Sequence, residues 1–161
     1  MANSTRRRAP YRGEAGRLPG MGIMNRVMRA ASTVHAALYR RIDSPRVRRT
    51  AGLPILLLTV RGRKSGQERT TPVCYIETDG SYAVVGSAGG SDDEPQWFRN
   101  LRAASEARVE IGQQKSAVAV RVAKGAERDA LWQRFVTAGT TFAGYEKKAD
   151  RVIPVAVLTP R

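Results

Sequence analysis

Ile55–Val60 is a short and nearly continuous apolar run, flanked by polar, turn-forming residues on its C-terminal side. A run of that length, rich in branched side chains, reads as a buried strand. The residues downstream make it half of a hairpin. Arg61–Glu68 is polar and contains two glycines, and Thr70–Ile76 is the return strand. Thr78-Asp79-Gly80 then turns the chain into a strand over Tyr82–Ser87. Val109–Ile111 and Ala117–Val122 read as two more, and Val152–Leu158 closes the chain, with Pro154 suggesting an edge position or a bulge. Pro95 opens a short helix with Trp97 and Leu101 on one face. Ala126–Ala138 is helical, with Ala130, Leu131, Arg134, Phe135 and Ala138 at spacings of three and four. Six strands with few, short helices predict a small barrel of the mainly β, α+β kind and exclude a doubly wound sheet.

Charge divides the 161 residues unevenly. The net charge is +14, yet residues 1–50 hold twelve arginines against Glu14 and Asp43, so ten of those charges lie there. Residues 1–20 combine arginines with Pro10 and Pro19 and show no apolar period, the composition of a basic, disordered tail. From Met21 to Ile42, Ile23, Val27, Ala31, Val34, Leu38 and Ile42 recur at helical spacing, with Arg26, Arg29, Thr33 and Arg40 opposite. Ser44-Pro45 ends that helix, and Arg46, Arg48 and Arg49 form a second basic cluster. The expected organisation is a tail over 1–20, an amphipathic basic helix and linker over 21–49, and a barrel over 50–161.

Composition closes several routes. Cys74 is the only cysteine and His35 the only histidine, which excludes an internal disulfide and a Cys/His zinc site; no metal site is expected. A reducing, cytoplasmic compartment is the natural home. No window approaches the ~18 apolar residues of a membrane span. Arg6-Arg7-Arg8 is followed by Pro10, Arg12, Glu14 and Arg17 instead of an apolar core, so a signal peptide is rejected. His35 sits on the apolar arc of its helix and reads as a packing residue, and Cys74, in an apolar strand, as an inert core thiol.

Two constellations remain that could carry chemistry. The first is Arg61-Gly62-Arg63-Lys64-Ser65-Gly66-Gln67-Glu68-Arg69-Thr70-Thr71 in the hairpin turn. Its glycines let N–H groups converge, Arg63, Lys64 and Arg69 add cationic donors, and Ser65 and Thr70 add hydroxyls, a set suited to a phosphate or carboxylate. A solvated hairpin tip has the same composition. The strand–GxxxxGK[ST]–helix order of a nucleotide phosphate loop is missing. The second is Gly86-Ser87-Ala88-Gly89-Gly90 followed by Pro95-Gln96-Trp97-Phe98-Arg99-Asn100-Leu101. Paired glycines permit close approach to a flat ligand, with Trp97 and Phe98 as a wall; the plainer reading makes Trp97 and Leu101 core anchors.

Taken together, GRKSG with a following arginine, the SxGG turn, the PxW-x-x-NL helix and the closing RVIPVAVL resemble the deazaflavin-dependent nitroreductase family over about residues 50–161. The resemblance implies a six-stranded, FMN-binding-like split β-barrel that uses coenzyme F420, an 8-hydroxy-5-deazaflavin. It implies that Arg63, Lys64, Ser65 and Arg69, with Thr70, grip the cofactor phosphate. It places Ser87, Ala88, Gly89 and Gly90 along the ring, Trp97 and Asn100 on the bordering helix, and Tyr145 over the substrate side. Two departures stand out: Ala88 replaces a basic residue common in the family, and Ser91-Asp92-Asp93-Glu94 puts three acids at the pocket mouth, to be offset by Arg99 or Arg102.

The implied enzyme is an F420H2-dependent reductase passing hydride to a small or lipophilic acceptor such as a quinone or nitro compound, with Ser87 or Tyr145 as the candidate catalytic proton donors. The alternatives are a non-catalytic cofactor or lipid binder of the same fold, an FMN-binding reductase and, from another class, a nucleic-acid binder. Against the last, the body lacks aromatics interleaved with basic residues on a strand face. The N-terminal helix has the layout of one lying on an anionic membrane surface, at the inner face of the cell membrane, or of one packing over the barrel or in a homodimer.

Overall fold

The computed structural model describes residues 34, 36–41 and 48–161. The tail expected over 1–20, His35 and most of the helix expected over 21–42 lie outside them. The described residues form seven strands: β1 (Arg49–Thr50), β2 (Leu53–Arg61), β3 (Glu68–Thr78), β4 (Ser81–Val85), β5 (Glu106–Ile111), β6 (Gln114–Val122) and β7 (Val155–Pro160). Helix α1 (Gln96–Arg102) lies between β4 and β5, and α2 (Gly125–Ala138) and α3 (Phe142–Lys148) lie between β6 and β7.

Every pairing is antiparallel, in the order β1-β2-β3-β4-β7-β6-β5, and β2 pairs with β5 as well as β3. That last pairing closes β2 to β7 into a six-stranded barrel, as expected, and leaves β1 as a two-residue appendage on β2. Leu57 shows the closure, facing Pro72 on one side and Glu110 on the other.

The continuous apolar run of β2 is explained by what covers each face. Leu56, Leu58 and Val60 point into the barrel core with Val84, Val109, Val118 and Leu158. Ile55 and Leu57 point outward, where Ala36 and Tyr39 of the N-terminal helical segment cover them. The same logic holds for β4 and β7. Their outward residues Ala83, Val85, Val155 and Val157 are covered by Leu131, Trp132 and Phe135 of α2 and Phe142 of α3. Burying each such large side chain is worth about 1.5–3 kcal/mol.

Three expectations need correction. The last strand begins at Val155, so Pro154 precedes it, accepting a hydrogen bond from the Gly86 N–H (2.9 Å); β7 itself is interior to the sheet. On α2 the buried face is Arg128, Leu131, Trp132 and Phe135, while Ala130, Arg134 and Ala138 are exposed. On α1 the fully buried pair is Phe98 and Leu101, and Trp97 is only half-buried at the barrel's edge.

Candidate functional site

The β2–β3 hairpin turn is built by its own backbone. Gly62 N–H donates to the Gln67 carbonyl (2.8 Å) and Gly66 N–H to the Gly62 carbonyl (2.7 Å). A Cβ on Gly62 would stand 2.6 Å from Ser65 Oγ, so a larger residue there would have to turn the serine hydroxyl aside. This turn leans on α1. Arg63 Nη1 donates to Asn100 Oδ1 (2.9 Å) and to Gln96 Oε1 (3.1 Å), and the Arg63 main-chain N–H reaches the same Asn100 oxygen at 3.3 Å. Arg69 donates to Gln67 Oε1 (2.7 Å), and the hydroxyls of Thr70 and Thr59 lie 2.8 Å apart across β2 and β3.

The character of these partners matters more than their number. Arg99, Arg102 and Arg108 each hold a carboxylate, on Asp93, Glu94 and Glu68. Arg63 and Arg69 are oriented by neutral amide oxygens alone, and Lys64 is exposed with no hydrogen bond or ion pair among the described residues. Amide oxygens fix a guanidinium without cancelling its charge. The turn therefore presents three oriented or free cations that want an anion. A groove of about 620 Å³ opens beside it, with Thr59, Arg61, Arg63, Asn100 and Arg108 among its walls.

The second constellation lies at the end of β4. Ser87 has α-helical angles, and then Ala88, Gly89 and Gly90 have φ of 48°, 65° and 82°, three left-handed residues in succession. Gly90 is needed for space as well as angle, since a Cβ there would meet Tyr145 Cα and Lys148 Cβ at 3.1 Å. At Gly89 a Cβ would meet nothing within 4 Å, so the turn's outer side is open. Tyr145 sits against this turn through its backbone, its ring packs on Phe142, and its hydroxyl accepts from Thr141 Oγ1 (3.0 Å).

Two of the three acids at the mouth are paired with arginines. Arg99 pairs with Asp93 at 3.3 Å and Arg102 with Glu94 at 2.7 Å, the offset expected for both, while Asp92 Oδ1 accepts the main-chain N–H of Asp150 at 2.8 Å. Helix α1 links the two constellations, because the ring of Phe98 lies under Gly86, where a Cβ would stand 2.8 Å from it, while Asn100 holds Arg63.

One residue near the turn escaped sequence reasoning. Arg151 donates to four carbonyls, those of Ser91 (2.9 Å), Gly86 (3.0 Å), Ser87 (3.2 Å) and Asp93 (3.4 Å). Main-chain carbonyls leave no pattern in a sequence, so only the place of Arg151 as the first residue of the closing motif RVIPVAVL could have marked it.

With this geometry in view, comparison with known proteins is decisive. The family model described as F420H(2)-dependent quinone reductase matches residues 31–160. The chain belongs to that family. A Mycobacterium tuberculosis protein provisionally named an F420H(2)-dependent quinone reductase is 39% identical over 109 residues, 68% of this chain and 92% of the relative. An F420H(2)-dependent quinone reductase of the same species is 32% identical over 132 residues, 80% of this chain and 89% of its own. Among solved structures, an F420-H2 dependent reductase, FDR-A, matches with a TM-score of 0.60 at 37% identity, covering 65% of this chain and 93% of that one. A second solved structure, described only as a domain-swapped dimer, matches with a TM-score of 0.61 at 29% identity over 88% of this chain and 99% of that one.

A member of the F420H(2)-dependent quinone reductase family is an F420-dependent oxidoreductase, and the residues present suit such a cofactor. An anionic group would suit the uncompensated cations of Arg63, Lys64 and Arg69, and a flat one would suit the open side of Gly89, where no side chain stands in the way. Among the described residues no cluster of His, Cys, Asp or Glu could hold a metal, and no helix is long and apolar enough to cross a membrane.

Proposed function

We propose that Arg63, Lys64, Ser65, Arg69 and Thr70 grip the phosphate of reduced coenzyme F420, that Ser87, Ala88, Gly89 and Gly90 line its ring, and that Trp97 and Asn100 border it. The observation that carries this reading is the amide-held, uncompensated charge of Arg63 and Arg69 beside the free Lys64. When bound, the cofactor supplies the hydride. The protein's part is position and dryness. Asn100 and Gln96 hold the Arg63 fork in place before the anion arrives, so little ordering remains to oppose binding. Trp97 and the clamped 86–93 loop keep water from one side. Two hydroxyls can return a proton to a reduced acceptor. Tyr145 Oη already accepts from Thr141, which leaves its own proton free to give, and Ser87 Oγ makes no capping bond.

The acceptor class that fits is a lipophilic quinone or nitro compound. Val34 and Leu38, one helical turn apart, are 59% and 42% exposed, with Arg41 exposed beside them. That face supports peripheral binding to the anionic cytoplasmic surface of the cell membrane, where a lipid-soluble acceptor would be met. The domain-swapped relative supports a homodimer. Isothermal titration with coenzyme F420 and, in parallel, FMN tests the cofactor. Binding of F420 that Arg63→Ala plus Lys64→Ala weakens by tenfold or more is expected; tight binding of FMN alone overturns the reading.

A further inference from the structure

The 86–93 loop holds, at Ala88, a conformation that the residue itself does not favour. Ala88 is left-handed, a region that costs alanine free energy to enter, and it begins a run of three such residues. Within the loop, main-chain hydrogen bonds run from Gly90 N–H to the Ser87 carbonyl (2.9 Å) and from Ser91 N–H to the Ala88 carbonyl (3.2 Å). Two bonds across the turn cannot by themselves fix the path on either side. Something outside the loop must.

Arg151 is in place to do so. Its guanidinium reaches the carbonyls of Gly86 and Ser87, where the loop begins, and those of Ser91 and Asp93, where it ends. One planar group thus joins both ends of the turn. Its neighbour adds a fifth tie, from the Asp150 N–H to Asp92. Among the described residues no carboxylate pairs with Arg151, and its Nη1 is buried without a hydrogen-bond partner, so the charge is directed at backbone dipoles. Charge-assisted bonds to carbonyls are stronger than neutral ones, and the guanidinium fork can serve several at once where an ammonium cannot. Meanwhile Gly90 lies against Tyr145 and Lys148 of α3, so the loop is held from the α3–β7 side throughout.

From this geometry we infer that Arg151 is a positioning residue: it pins the Ser87–Gly90 turn in its left-handed path and thereby shapes the wall that the cofactor ring meets. The inference deepens the reading above and rests on it for the identity of the ligand, but the pinning itself belongs to the free protein. Arg151 touches no reacting atom and acts through the turn.

The test compares wild type, Arg151→Gln and Arg151→Lys by hydrogen–deuterium exchange of the ligand-free proteins and by titration with coenzyme F420. Protection of the β2 and β7 amides reports that the barrel has folded. With that protection kept, Arg151→Gln should speed exchange at Gly90 and Ser91 at least tenfold and raise the Kd for F420 at least tenfold. Arg151→Lys, which keeps the charge but loses the fork, should fall between. Wild-type exchange rates at Gly90 and Ser91 in Arg151→Gln overturn the inference. So does faster exchange with an unchanged Kd, because the turn would then not shape the site. Loss of β2 and β7 protection in both variants overturns it too, since Arg151 would then hold up the barrel. If wild type does not bind F420, the proposed function fails, whereas the exchange rates still decide whether Arg151 pins the turn.

Discussion

Arg63 and Asn100 stand 37 residues apart in the chain, and one side-chain oxygen of Asn100 receives both the guanidinium (2.9 Å) and the main-chain N–H (3.3 Å) of Arg63. The bond fixes a charged side chain without neutralising it, and it ties the hairpin turn to α1. Replacing the amide with a carboxylate keeps the geometry and cancels the charge. Asn100→Asp is therefore expected to fold with an unchanged melting temperature and to bind F420 at least tenfold more weakly, a loss of about 1.4 kcal/mol. Titration beside a thermal melt checks it; undiminished affinity would mean the turn's charge does not serve the cofactor.

Phe98 and Trp97 are neighbours in sequence with opposite duties. Phe98 is fully buried beneath Gly86, and Trp97 lies half-buried at the core's edge, its ring 5.3 Å from that of Phe98. Phe98→Ala should cost about 3–5 kcal/mol of stability in urea melts. Trp97→Ala should cost about half as much, because part of its surface is already wet, and should weaken F420 binding in the fraction that remains folded. Equal destabilisation by both would make Trp97 a core residue and no more.

Much of this is legible in the sequence because it lies in local pattern. The β2 run, the GRKSG turn and Asp79-Gly80 each carry their signal within a short stretch of chain, and the structure places β2, β3 and β4 where those signals put them. The features that are not legible depend on partners far along the chain. Periodicity pairs Trp97 with Leu101, but the close approach of Gly86 selects Phe98 for burial instead. The apolar spacing of α2 leaves Arg128 out, yet it is buried, and the Ile153 carbonyl accepts from both its Nε (2.9 Å) and its Nη2 (2.6 Å). The pairing of Asp93 with Arg99 and of Glu94 with Arg102 is local and open to expectation, whereas the hydrogen bond that Asp92 accepts comes from the Asp150 N–H, 58 residues along the chain.

Cys74 offers a chemical check on the barrel wall. The thiol is half-buried on β3, its sulfur 3.5 Å from the Thr50 carbonyl, and burial pushes its pKa up to about 11. At pH 8 roughly a thousandth of it is thiolate, so it should react with a disulfide reagent far more slowly than free cysteine. Urea should restore the ordinary rate. Fast labelling of the folded protein would show that β3 opens at this position.

The N-terminal segment is fastened to the barrel by two adjacent residues. Tyr39 donates its hydroxyl proton to the Ile55 carbonyl (2.9 Å) and accepts the Gly112 N–H (3.0 Å). Arg40 grips Glu110 with both ends of its fork, at 2.6 and 2.8 Å. The Glu110 side chain is only 11% exposed, and the Arg40 hydrogen bond, ahead of the charges of Arg40, Lys115 and Arg108, holds its carboxyl below the usual range against the opposing effect of burial. A carboxyl depressed on folding adds stability above its unfolded value, near 4.3, and loses it as pH falls through the lower folded value. Glu110→Gln should therefore be less stable than wild type by about 1.5–3 kcal/mol at pH 7, the worth of a charged hydrogen bond. The gap should narrow as the pH of the urea melts is lowered from about 5 towards 3, because the wild-type carboxyl then protonates while glutamine cannot. A gap that stays constant over that range would place the difference in packing and not in the ion pair.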